Sequence, residues 1–213
     1  MNGQQLNIWN NLDPIKSSDS NPEKIISSDG EVLYYQNFFK LQESNAFLDQ
    51  LLNNTNWKQE YIKIFGKQQA IPRLTAWYGD EGKDYKYSGI LQHPEPWSDV
   101  LKIIKLKVES VVANTFNSVL LNLYRNGSDG VAWHSDDEPE LGLNPVIASV
   151  SFGGIRKFSL KHKSNPKNKI DLELQHGSLL IMGGNTQHNW IHQVAKTKKK
   201  VSPRVNLTFR TIY

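Results

Sequence analysis

His134 and Asp136 stand two positions apart in "AWHSDDEPE", residues 132–140. On an extended strand such positions face the same way, so imidazole and carboxylate can project together from a strand end into one site. A second imidazole must come from elsewhere. The run "QHNWIHQV" offers His188 and His192, both on one face if that segment is extended; His93, His162 and His176 are the other candidates. Two imidazoles and one carboxylate with open coordination positions make the facial triad of non-haem iron(II) oxygenases. A zinc hydrolase uses the same ligand types, so the triad alone does not name a reaction.

Near the C-terminus, "PRVNLTFR" sets Arg204, Asn206, Thr208 and Arg210 on one face of a strand and Val205, Leu207 and Phe209 on the other. Arginines on the inward face of a core strand are costly unless anions meet them. Six strand residues separate the two arginine Cα atoms by about 20 Å. A dicarboxylate lying between them, one end near a metal, would engage both; structural pairing with Asp171 or Glu173 is the alternative. Upstream, "LNLYRN" places Asn122 and Tyr124 two apart, able to add polar contacts from a neighbouring strand.

The elements that must position these groups are legible in the hydrophobic pattern. "EVLYYQNFF" reads as a strand. From Ser44, a good N-cap residue, Phe47, Leu48, Leu51 and Leu52 recur at helical spacing. A second helix is expected from near Pro96 and Trp97, with Val100, Leu101, Ile104, Val108, Val111 and Val112 on one stripe. After residue 117 come short apolar runs separated by Gly, Asn and Pro: "SVLLNLYRN", "PVIASVSFG", "RKFSLKHK", "KIDLELQHG", "SLLIMGG", "HNWIHQV" and "RVNLTFRTIY". Regular short strands of this kind predict an antiparallel sandwich or jelly roll. The expected fold class is therefore α+β, with two N-terminal helices packed on one face of the β core.

With 213 residues, 38% apolar and 22% charged, the chain has a globular balance and length for one domain. We expect a loosely held N-terminal arm over 1–29 and a single domain over 30–213. The first thirty residues carry neither a signal-peptide pattern nor a bilayer-spanning run, which points away from secretion by that route and from membrane embedding. The absence of cysteine excludes disulfides, thiolate-bound zinc and a thiol nucleophile, and is compatible with a reducing, cytoplasmic setting. A net charge of +4 and a pI near 9.1 fit a polyanionic partner or merely a soluble basic surface.

His134-x-Asp136, His192 inside "WIHQV" and the terminal "PRVNLTFR" together resemble the AlkB family of 2-oxoglutarate- and iron(II)-dependent nucleic-acid dealkylating dioxygenases. "NLYRNGSDGVAWHSDDEPELG", "IASVSFG" and "RVNLTFR" occur in that family's order and approximate spacing, and the similarity runs from about residue 60 to the end. The resemblance implies a double-stranded β-helix core over 117–213 and a nucleotide-recognition lid over 60–95. It implies Fe(II) on His134, Asp136 and His192, and 2-oxoglutarate on Asn122, Tyr124, Arg204, Asn206 and Arg210, with O2 as co-substrate.

Within "IFGKQQAIPRLTAWYGDEGKDYKYSG", residues 64–89, the similarity is to the duplex-acting branch. Phe65 would be a wedge entering the base stack. Tyr85, Tyr87 and Ser88 would line the pocket of a flipped base, Tyr87 stacking it opposite His134, and Asp137 and Glu138 would read a cationic methylated base. Lys67, Arg73, Arg125, Lys161, His162 and Lys163 would meet phosphates. The implied activity is oxidative demethylation of bases such as 1-methyladenine and 3-methylcytosine in DNA, double-stranded or single-stranded, by a monomer, nucleoid-associated if the source is prokaryotic. An RNA demethylase, a protein hydroxylase and a catalytically silent nucleic-acid binding module are the alternatives.

Overall fold

The computed structural model describes residues 21–213 apart from 65, 84, 88 and 89. In chain order its elements are β1 (Glu23–Ile26), β2 (Glu31–Tyr35), α1 (Leu41–Asn54), β3 (Tyr61–Ile64), β4 (Lys67–Ala70), β5 (Leu74–Gly79), β6 (Tyr85–Tyr87), β7 (Ile90–Gln92), β8 (Glu95–Pro96), α2 (Asp99–Glu109), β9 (Ser118–Tyr124), β10 (Val131–His134), β11 (Ile147–Gly153), β12 (Arg156–His162), β13 (Lys169–Leu174), β14 (Ser178–Gly183), α3 (Thr186–Asn189), β15 (Trp190–Val194) and β16 (Arg204–Arg210).

Eight strands form one sheet in the order β1-β2-β14-β11-β16-β9-β5-β8, antiparallel except at the β5/β8 edge. Four more form a smaller antiparallel sheet, β10-β15-β12-β13. Alternation along the central strands of the large sheet explains why it has two apolar faces. Val119, Leu121 and Leu123 of β9, Val150 and Phe152 of β11, and Val205, Leu207 and Phe209 of β16 share one core with α1 and α2. Tyr124, Ile147, Leu180 and Met182 belong to a second core, closed by Phe158, Leu160, Trp190 and Val194 of the small sheet. The architecture is thus a jelly-roll pair of sheets, mostly strand, with helices outside the larger one.

The helices follow from their sequence stripes. Phe47 and Leu51 of α1, and Val100, Leu101, Ile104 and Val108 of α2, are buried at spacings of three to four residues against the sheet. No helix among the described residues is long and apolar enough to cross a membrane.

Three expectations are corrected. Helix α1 begins before Ser44: Glu43 accepts the Lys40 N–H at 2.9 Å, and the Ser44 N–H already makes a helical bond to the Lys40 carbonyl. Ser44 is buried against Gly177, where a side chain would meet Ser44 Oγ and the Phe39 carbonyl and the φ of +78° favours glycine. Helix α2 starts at Asp99, so Pro96 and Trp97 precede it. Residues 23–26, expected within a loose arm, form a strand paired with β2 and bury Ile26.

Candidate active site

Register brings the site together between the two sheets. His134 on β10 pairs directly with His192 on β15, and the ring centroids lie 4.3 Å apart. Asp136 follows just past the end of β10 and is buried. One ligand atom from each of His134, Asp136 and His192 falls within 4.8 Å of the others. His188 is not among them: it sits exposed on α3, because the extended segment starts only at Trp190.

The protonation states suit a cation. His134 Nδ1 lies 2.8 Å from the Ala132 carbonyl oxygen, which can only accept, so Nδ1 carries a proton and Nε2 is the nitrogen turned to the site. Burial pushes the His192 imidazole down to about 3, with His134 and Arg210 adding repulsion and Asp136 opposing. The ring is therefore neutral, its metal-binding form. Burial opposes ionisation of Asp136, but the charge and hydrogen bond of the Arg210 guanidinium hold the carboxyl below its usual range. Arg210 Nη2 is 2.7 Å from Asp136 Oδ1.

Behind the triad lies a cavity lined by Asn122, Tyr124, Arg204, Asn206 and Arg210, the residues expected to hold a dicarboxylate. Antiparallel pairing sets Arg204 opposite Tyr124 and Asn206 opposite Asn122. Arg204 is only 1% exposed; Nη2 donates to Ser151 Oγ at 2.8 Å, while Nε and Nη1 have no hydrogen-bond partner. Among the described residues Arg204 makes no ion pair, and Asp171 is engaged by Lys157, Lys169 and Ser159 instead. A buried guanidinium with unmet donors is costly, and an anion that completes it offsets that cost. The residues present therefore fit both groups, a ferrous ion at the triad and 2-oxoglutarate extending back to Arg204. Asn206 is braced by bonds from its amide nitrogen to Ser149 Oγ and the Val150 carbonyl.

Arg73, expected at phosphates, is half-buried in this cavity, with Nε donating to Asn122 Oδ1 at 2.7 Å. Together with Leu120 and Arg210 it also lines an adjoining cleft that contains Trp77 and Glu138. Glu138 Oε2 is buried and unpartnered, whereas Asp137 is exposed and tied to Ser135 Oγ and Lys163 Nζ.

Of the other expected contacts, Arg125 forms a two-pronged bond to Asp129, Lys161 Nζ lies over the Trp133 ring, and His162 meets the Trp190 ring edge-on. Lys67 is exposed on β4. Phe65 and Ser88 lie outside the described residues, as do the side chains of Tyr85 and Tyr87.

Sequence reasoning missed two buried polar residues. Arg156 donates to the carbonyls of Asn126, Asp129 and Ala195 and, like Arg204, sits by the Tyr124 ring. Its inward position was readable by the same alternation that singled out Arg204, since Phe158 and Leu160 follow at steps of two. Gln187 accepts the Asp136 N–H at 3.0 Å and had no such signal.

A jelly roll carrying a two-histidine, one-carboxylate triad with a buried arginine behind it defines the class of mononuclear iron oxygenases that use a 2-oxo acid. Comparison agrees with that assignment. The family model described as the 2OG-Fe(II) oxygenase superfamily matches residues 31–210, and the chain belongs to that superfamily and, within it, to the AlkB family. It is 45% identical over 191 residues to the human alpha-ketoglutarate-dependent dioxygenase alkB homolog 3, covering 85% of this chain and 66% of the relative. Similarity to the human DNA oxidative demethylase ALKBH2 is 44% over 158 residues, covering 71% of this chain and 60% of that protein. The match thus spans 60–66% of the length of these curated relatives. The solved structure titled "The structure of OsALKBH1" superposes with a TM-score of 0.61 at 18% identity, over 90% of this chain and 100% of that one, a likeness of fold.

Proposed function

We propose that the protein removes N-alkyl groups from bases in DNA, acting on lesions such as 1-methyladenine and 3-methylcytosine and so repairing them by direct reversal. The observation that carries this reading is the pairing of the His134, Asp136 and His192 triad with an orphaned, fully buried Arg204. The name of one relative, DNA oxidative demethylase ALKBH2, supports the substrate class.

Iron(II), 2-oxoglutarate and O2 together supply the oxidising power that hydroxylates an N-methyl carbon, after which the carbinolamine loses formaldehyde and leaves the unmodified base. The chain's own residues do the rest. His134 Nε2, His192 and Asp136 would hold the metal. Arg204, with Tyr124 and Ser151 beside it, would take one carboxylate of the co-substrate. Arg210, close to Asp136, would take the other, and Asn122 and Asn206 would add polar contacts. Burial on both sides keeps water from the reacting centre.

Glu138, whose buried oxygen opens onto the adjoining cleft, is suited to accept from an exocyclic amine and to attract a cationic methylated ring. The β3/β4 and β6/β7 hairpins, which stand apart from the main sheets, form the nucleotide-recognition lid. In this reading Phe65 enters the stack, Tyr85, Tyr87 and Ser88 receive the flipped base, and Lys67, Arg125, Lys161, His162 and Lys163 follow the phosphates. A monomer binding duplex DNA is the arrangement we favour.

The test is mass spectrometry of duplex oligonucleotides carrying 1-methyladenine or 3-methylcytosine, incubated with iron(II), 2-oxoglutarate and oxygen. Loss of 14 mass units (the net CH2) with matching succinate and formaldehyde is expected. Succinate formed without any change in the oligonucleotide would overturn the substrate class, and the same loss only from RNA would move it.

A further inference from the structure

We infer that Gln187 is a positioning residue of the metal site, which fixes the backbone beneath Asp136 so that its carboxylate stays aimed at the metal. The inference rests on reading His134, Asp136 and His192 as ligands.

Asp136 lies beyond the end of β10, past the last pair of its ladder with β15, His134 with His192. Its backbone N–H is instead taken by Gln187 Oε1 at 3.0 Å, across a separation of 51 residues. That bond is buried at both ends: Gln187 is 1% exposed and Asp136 3%. The rest of the Gln187 amide is occupied too, since Nε2 reaches the Met182 sulfur at 3.6 Å.

Gln187 is itself anchored from behind. Its backbone carbonyl accepts from Lys163 Nζ at 3.0 Å. The preceding residue, Thr186, accepts the Glu31 N–H and donates within hydrogen-bond distance of the Glu31 and Gly183 carbonyls, tying the turn to β2 and β14. Asn189 and Trp190 both donate to the Asp29 carbonyl on the other side of that turn. A short helical turn held on three sides therefore presents one amide oxygen to the ligand's backbone.

The need for such a brace is visible in the charges. Arg210 Nη2 already lies 2.7 Å from Asp136 Oδ1, so a free Asp136 segment would be drawn towards the guanidinium. A fixed N–H limits how far the carboxylate can follow. Partners of this kind orient ligands and tune affinity without touching the metal.

The experiment titrates the full apo chain with Co(II) under anaerobic conditions, following d–d absorption and heat, for the parent, Gln187→Met and Gln187→Glu. Methionine keeps the length and removes the acceptor; glutamate restores an acceptor oxygen. Gln187→Met should bind Co(II) at least about tenfold more weakly, with an altered d–d band, and Gln187→Glu should recover the parent band. Parent affinity and band shape in a folded Gln187→Met would overturn the inference. Should that variant fail to fold, amide hydrogen exchange on the parent decides: slow exchange at the Asp136 N–H supports the brace, and free exchange refutes it. A parent chain whose Co(II) affinity is unmoved by His134→Ala would sink the ligand assignment itself, a different outcome from failure of the Gln187 variant alone.

Discussion

Replacing Arg204 by methionine should move two observables in opposite directions. In the chain without co-substrate, Arg204 is 1% exposed and leaves Nε and Nη1 unmet. Each buried donor without a partner costs about 1–3 kcal/mol, and the lost bond to Ser151 returns about 1 kcal/mol of that, so Arg204→Met should stabilise the apo chain by about 1–5 kcal/mol. Apolar replacement of buried charge has this sign when the charge is not compensated. The same change removes the charged partner of the far carboxylate, costing about 2–5 kcal/mol of binding, or roughly 30- to 5,000-fold in 2-oxoglutarate affinity. Thermal unfolding of both chains with and without 2-oxoglutarate, anaerobically and with Mn(II), reads both effects. The parent should gain stability from the co-substrate, about 2.7 kcal/mol at a hundred times Kd, and the variant should start higher and gain little. A variant that is less stable alone yet still protected by 2-oxoglutarate would refute the reasoning, because Arg204 would then be satisfied within the protein.

Asp136→Ala should abolish Mn(II) binding in an apo-chain titration, and retained affinity would remove it from the ligand set. Burial holds His192 near 3 while an unfolded imidazole takes its proton near the ordinary value. The unfolded chain then binds the extra proton, so apo stability should fall as pH drops from about 6.5 towards 3, by up to about 1.4 kcal/mol per pH unit. His192→Gln should flatten that slope in urea titrations at several pH values, and an undiminished slope would show that another group carries it. Glu138→Gln should cut turnover of a methylated oligonucleotide by about tenfold or more with Co(II) affinity unchanged, and by more than Asp137→Asn does. The reverse ranking would mean that Asp137 releases Lys163 and turns to the base.

Strand alternation carried most of the site. Arg204, Asn206 and Arg210 lie at even spacing along one strand with their apolar neighbours between them, and His134 ends a strand with Asp136 two residues on, just past it. His192 is the expected ligand, and His188, at even spacing from it, is carried away because it sits on α3 ahead of the strand that begins at Trp190. The reading failed at Ser44, which has the chemistry of a cap: the helix starts earlier, at Leu41, with Glu43 bonding back to the Lys40 N–H, and Ser44 is buried inside it.

By itself, the order of residues determined the chemistry available: no thiol, one histidine–carboxylate pair on a strand, and two arginines that apolar alternation forces inward. Tertiary structure alone decided which groups meet. Asn122 with Arg73 and Asp136 with Gln187 are joined across 49 and 51 residues. Asp137 faces solvent and its neighbour Glu138 the cleft. The physical reason is that alternation is a property of one strand, whereas partners across sheets depend on register and on how two faces pack, which many distant residues set together.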